Sequence, residues 1–178
     1  MGLIQRNSEI MGKEAINYFQ ESEKYRPKIV RTLLVAEAPP PAGTRYFYVP
    51  RRMSNKTPVE KDRSLPATIF HHYFKKKPET VEEYVRFLNK LRDLGIFVVD
   101  ILDAPIKIRE KGGINQKNLQ YLVSKIKKLR TKIKRRGIFI GDENIIFLLP
   151  RRHYKKELHE EFPNSKKMRW IDFRLSSE

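Results

Sequence analysis

A chain of 178 residues has the length of one domain and enough mass to bury a core. Lys and Arg number 38 against 21 acids, a net charge of +17, so an anionic partner is expected, with nucleic acid and its closely spaced phosphates the leading class. Cysteine is absent, which excludes disulfides, cysteine-held zinc, iron–sulfur clusters and thiol nucleophiles, and no apolar run has membrane-spanning length.

In chain order, residues 7–25 read as a helix, with Ile10, Met11, Ile16 and Phe19 apolar among polar neighbours. "IVRTLLVAEA", 29–38, is a short, continuous apolar run rich in branched residues, hence a buried strand. Pro39, Pro40 and Pro41 then forbid further ladder bonding. From 44 to 74 the chain reads as irregular, with "VPRRMSNKTPVEKDRSLP" a basic exposed loop.

Helical signals return at "ETVEEYVRFLNKLRDLG". Thr80 and Glu83 make a capping-box pattern, Val81, Tyr84, Val85, Leu88 and Leu91 share one face, and Gly95 is the stop. Residues 96–102, "IFVVDIL", are a second buried strand closed by Pro105. A long helix follows over 115–136, with Leu119, Leu122, Val123, Ile126, Leu129 and Ile133 on one stripe and bases elsewhere. "GIFIG" at 137–141 reads as a third strand, "DENIIFLLP" as a short helix, and "MRWIDFRL" as a last strand or helix.

Apolar-block strands alternating with amphipathic helices imply a parallel sheet covered on both faces. The expected fold is a three-layer α/β/α sandwich with a mainly parallel central sheet, one domain over 1–178, with 1–28 a helical segment packed on it. Glu37, Asp100 and Asp142 then fall at or near the carboxyl ends of three strands, the edge where open α/β folds hold ligands.

This order of pieces resembles the uracil-DNA glycosylase superfamily. Its bacterial and archaeal branches carry a strand ending in Gly-Glu-Ala-Pro-Gly, matched here by Ala36-Glu37-Ala38-Pro39-Pro40. A later strand ends on a base-reading Asn, matched by "FVVDIL" with Asp100 in that place. "GIFIGDENIIFLL" matches a strand ending in glycine followed by a short helix. "FPNSK", 162–166, stands where the family has a His-Pro-Ser loop that enters DNA. The departures are the lost glycines at Ala36 and Pro40, Asp100 in place of an amide, Phe162 in place of histidine, and the absent cluster cysteines. The likeness of order spans roughly 30–175 and implies a uracil-DNA glycosylase-like fold and excision of a flipped-out base.

Excision requires stabilising a sugar that becomes cationic as its bond to the base breaks. The resemblance implies this role for Glu37, directly or by holding water, against the plainer role of a strand-end cap in a Pro-rich turn. Ala38, Tyr46, Phe47 and Asp100 form the expected base pocket. In an extended segment alternate residues share a face, so Phe47, or else Tyr46 with Tyr48, should offer the stacking ring. An ionised Asp100 only accepts hydrogen bonds and disfavours uracil's O4, whereas a protonated one can donate; a purely structural Asp100 stays open.

Arg51, Arg52, Lys56, Arg151 and Arg152 suit phosphate contacts, as do Asn164, Ser165 and Lys166 of "FPNSK". His71 and His72 read as histidines at a helix start, adjacent and therefore pointing apart rather than sharing a metal. Two other readings stand beside the glycosylase. Glu37, Asp100, Asp103 and Asp142 could gather Mg²⁺ in a nuclease or phosphoryl-transfer enzyme, or the chain could bind nucleic acid without catalysis. The expected partner is DNA, or RNA, with no membrane. A cytoplasmic monomer without cofactor or metal is expected.

Overall fold

The computed structural model describes residues 16–53, 64–148 and 152–168. The chain is mixed α/β around a small sheet whose pairings are all parallel, in the order β2-β1-β5-β6. β1 is Thr32–Ala36, β2 Ile96–Asp100, β5 Ile145–Leu148 and β6 Lys166–Met168. β3 (Arg109–Glu110) and β4 (Gly113–Ile114) form a separate two-stranded hairpin. Leu33, Leu34, Val35, Phe97, Val98, Val99, Phe147 and Leu148 are buried, which is why these runs are apolar without alternation.

Parallel neighbours need crossovers, and helices supply them. Between β1 and β2 lie α2 (Leu65–Phe74) and α3 (Val81–Asp93); between β2 and β5, α4 (Gln116–Ile126) and α5 (Leu129–Arg135); between β5 and β6, α6 (Lys155–Glu161). α1 (Tyr18–Glu23) precedes the sheet, capped by Asn17. α3 begins as its sequence dictates: Thr80 accepts from the Glu83 amide at 3.1 Å, while the Glu83 carboxylate reaches back to the Glu79 amide at 2.8 Å. It ends before Gly95, whose φ of 76° a side chain would strain.

Four expectations need correction. The region taken as irregular contains α2, started by Ser64 accepting from the Ala67 amide with Pro66 in the first turn. His71 and His72 therefore sit in its last turn, not at a helix start. The long basic helix is two helices, broken at Lys127 and Lys128. "GIFIG" carries no strand: the third strand of the sheet is Ile145–Leu148, within the segment read as a short helix. Of the first helix and the last element, residues 7–15 and 169–175 lie outside the described residues.

Candidate functional site at the carboxyl edge of the sheet

The strand order reverses at β1: the chain passes to β2 on one side, then crosses back to β5 on the other. Such a switch point leaves a crevice beyond the carboxyl ends of the strands. Ala36 and Asp100 are register partners there, and the ladder runs on, with the Ile101 amide donating to Ala36 O at 2.9 Å and the Leu102 amide to Glu37 O at 3.1 Å. The backbone of Glu37 is thus fixed by the sheet.

A cavity of about 520 Å³ opens at this edge. Glu37, Ala38, Tyr46, Phe47 and Asp100 all line it, with Arg45, Arg51 and Leu148. The structure therefore brings together the five residues expected to act on a base. Across the switch point Tyr154, which follows β5, donates its hydroxyl to Glu37 Oε2 at 2.6 Å. Sequence reading misses Tyr154, since nothing local marks a residue 117 positions away as the partner of Glu37.

The three-ring loop is turned, not extended. A 3-10 turn at Gly43–Arg45 and a Val49 amide bond to Tyr46 O curl it. Alternation fails, and Tyr46, Phe47 and Tyr48 are all buried. Tyr46 and Phe47 both border the cavity, while the Tyr48 hydroxyl accepts from the Val98 amide at 2.7 Å and donates to Val98 O at 3.1 Å. The Tyr84 hydroxyl donates to Phe47 O at 2.8 Å and Arg51 to Tyr46 O at 3.2 Å. The cavity wall is held from behind.

Asp100 also borders a second cavity of about 420 Å³, shared with Tyr46 and lined by Asn17, Tyr18, Lys132 and Arg136. Burial pushes the Asp100 carboxyl up to about 7, with Asp103 adding to the rise; Lys132, the Tyr46 hydroxyl and Arg136 oppose it. Burial likewise raises the Tyr46 hydroxyl well above the ordinary phenol value, and Asp100 adds to that.

Of the four acids expected to gather a divalent ion, Glu37 and Asp100 share one cavity and Asp100 and Asp103 the other, while Asp142 stands apart. Asp142 precedes β5 and so lies toward the amino edge, accepting from the two terminal nitrogens of Arg130 at 2.7 and 2.6 Å. Asp103 is exposed and pairs with Lys132 at 2.6 Å. Among the described residues no three acids or histidines form a set that could hold a metal ion.

The expected phosphate contacts divide. Arg51 is half-buried at the cavity, its guanidinium 5.8 Å from the Tyr84 ring, and Arg52 is exposed beside it. Lys56 and Arg151 lie outside the described residues, and of Arg152 only the backbone, in the turn Arg152–Tyr154, is described. "FPNSK" is not at this site. It enters β6 from the amino end, Lys166 pairing with Ile146, so Asn164, Ser165 and Lys166 lie toward the opposite edge from Glu37. Phe162 is fully buried against Phe147 and Arg130, and Ser165 folds back on Phe162 O at 2.7 Å.

No helix among the described residues is long and apolar enough to cross a membrane. A scan against family models, a search of curated proteins and a search of solved structures each found no match.

Proposed function

We propose that this chain is a DNA-binding glycosylase-like protein that hydrolyses the N-glycosidic bond of a damaged base flipped out of the helix. The observation that carries this reading is the shared cavity: Glu37, Tyr46, Phe47 and Asp100 line one space of about 520 Å³ at the switch point. That size is within the range of small-molecule sites. In this reading a base enters between the ring walls, and Asp100 meets its polar edge. Glu37, oriented by Tyr154, faces the sugar as its bond to the base breaks. The base leaves with the bonding electron pair, water adds to the sugar carbon, and the water's proton ends on the base or on solvent. A carboxylate held in place beforehand stabilises the developing positive charge without reorganising.

The finer fold reading goes with this function. Right-handed crossovers that leave β1 toward opposite sides put their helices on opposite faces. α2 and α3 then cover one face and α4, α5 and α6 the other, an α/β/α sandwich of the uracil-DNA glycosylase type. The +17 charge supports a DNA partner for a cytoplasmic monomer of this kind.

The test is abasic-site formation on oligonucleotides that each carry one damaged base, with and without EDTA. Excision that survives the chelator is expected. Strand cutting lost with EDTA would make the protein a metal-dependent nuclease, and binding without either product would make it a non-catalytic nucleic-acid-binding protein.

A further inference from the structure

Residues 125–136 hold eight Lys and Arg and no acid. The structure sorts them into two groups. Arg130, Lys132 and Arg136 are committed to Asp142, Asp103 and Glu23, and Lys125 lies over the Tyr121 ring. Lys127, Lys128, Lys134 and Arg135 are exposed and meet no acid among the described residues. On α5 and its start, positions 128 and 135 share one face over about 10 Å, and Lys134 sits about 100° round the helix from Arg135, on the side that meets Phe139. Uncompensated like charge so close together opposes the helix. Beyond the end of α5 stands Phe139, 81% exposed and the barest of the large apolar side chains among the described residues. It forms the rim of a shallow cavity of about 220 Å³ with Lys134, Ile138 and the buried Phe162. Lys166 is exposed on the strand that follows Phe162. The two acids nearest in sequence are Asp142, paired with Arg130, and Glu143, which is exposed and accepts from Asn144.

We infer that this surface, formed by Lys128, Lys134, Arg135 and Phe139, binds single-stranded nucleic acid, its phosphates on the α5 bases and a base stacked on Phe139. A polyanion relieves the repulsion that the unpaired bases impose, and an exposed ring beside a basic track is the arrangement on which unpaired bases stack without sequence preference. The surface is separate from the Glu37 cavity: Phe139 precedes β5, whereas Glu37 follows β1 at the carboxyl edge. It would hold strand while the cavity works on another nucleotide, and it would serve equally a chain that only binds.

Fluorescence anisotropy of labelled oligo-dT and oligo-U, titrated over a range of salt, tests this on the full chain. Phe139→Ala is expected to weaken binding roughly 10- to 100-fold. The triple variant Lys128→Gln, Lys134→Gln, Arg135→Gln should flatten the log–log salt slope by about two units. Circular dichroism and thermal melting check that both variants keep the fold. Lys111→Gln, in the exposed turn between β3 and β4, should bind like wild type, and excision assayed beside binding tells failure of the glycosylase reading from failure of this surface. Unchanged affinity and slope in both folded variants would overturn the inference. So would binding to phosphatidylserine vesicles that depends on these residues while oligonucleotide binding does not.

Discussion

The Tyr154 hydroxyl meets Glu37 Oε2 at 2.6 Å, joining the segment after β5 to the segment after β1 across the point where the strand order reverses. A hydrogen bond to a carboxylate contributes about 1.5–3 kcal/mol. Tyr154→Phe should lower unfolding stability by an amount in that range. If Glu37 acts on the sugar, it should also lower kcat more than it changes KM. Urea unfolding and single-turnover excision separate the two effects. Full activity with reduced stability would mark the contact as a packing device only.

Glu37→Gln keeps the side chain's shape and removes its charge. Losing one catalytic electrostatic contact costs about 3 kcal/mol, so excision should fall roughly a hundredfold while DNA affinity stays at the wild-type level. Abasic-site formation and a binding titration on the same oligonucleotide decide it. Unchanged turnover with a weakened fold would reduce Glu37 to a cap of the Pro-rich turn.

Asp100 ties stability to pH. Its carboxyl rises from the ordinary 3.8 to about 7 in the folded chain, chiefly by burial. Between those values the unfolded chain has released the proton and the folded chain still holds it, so stability falls as pH rises through this window and levels off above about pH 7. Because the carboxyl borders two cavities, solvent tempers the loss to on the order of 3 kcal/mol. Asp100→Asn should remove this slope. Lys132, Arg136, Asp103 and Tyr46, the groups acting on the carboxyl, are left in place by that variant. If Asp100 reads the base as proposed, the same proton governs recognition. Protonated Asp100 can donate to uracil O4, so uracil excision should fade as pH rises through about 7 in the wild type and stay flat in Asp100→Asn. Parallel pH profiles for the two proteins would remove Asp100 from base reading.

Legibility in the sequence followed the physics of each element. β1, β2 and α3 were readable because each is bounded by a strong local signal: a proline run, a positive-φ glycine, or a Thr cap. β5 was not, since "GIFIG" and "IIFLL" are equivalent apolar blocks and only pairing with β1 chooses between them. Phe139 shows the outcome, left 81% exposed while Phe147 is buried. The break between α4 and α5 is likewise silent, because Leu122, Ile126, Leu129 and Ile133 continue the buried stripe across it. α2 did carry a signal, Ser64 with Pro66, inside a stretch whose charges and prolines read as loop. At the site, Glu37 and Asp100 were readable as strand-end acids. Tyr154 and the opposite-edge position of "FPNSK" depend on strand order, which no local pattern encodes.

Among the described residues β2 is an edge strand, and Tyr48 closes its middle. The hydroxyl accepts from the Val98 amide at 2.7 Å and donates to Val98 O at 3.1 Å, so one side chain does the work of a neighbouring strand. The ring is buried, 5.7 Å from Phe97 and stacked on Tyr25 at 6.0 Å, which holds the hydroxyl at that register. In Tyr48→Phe the ring stays and both backbone groups lose their partner. A buried group left unsatisfied costs about 1–3 kcal/mol, so the pair should cost roughly 2–6 kcal/mol. The urea midpoint should fall with an unchanged m-value, since the fold exposes the same surface on unfolding. Hydrogen exchange at the Val98 amide should accelerate by more than global unfolding explains. An unchanged midpoint would show that something other than this hydroxyl closes the edge of β2.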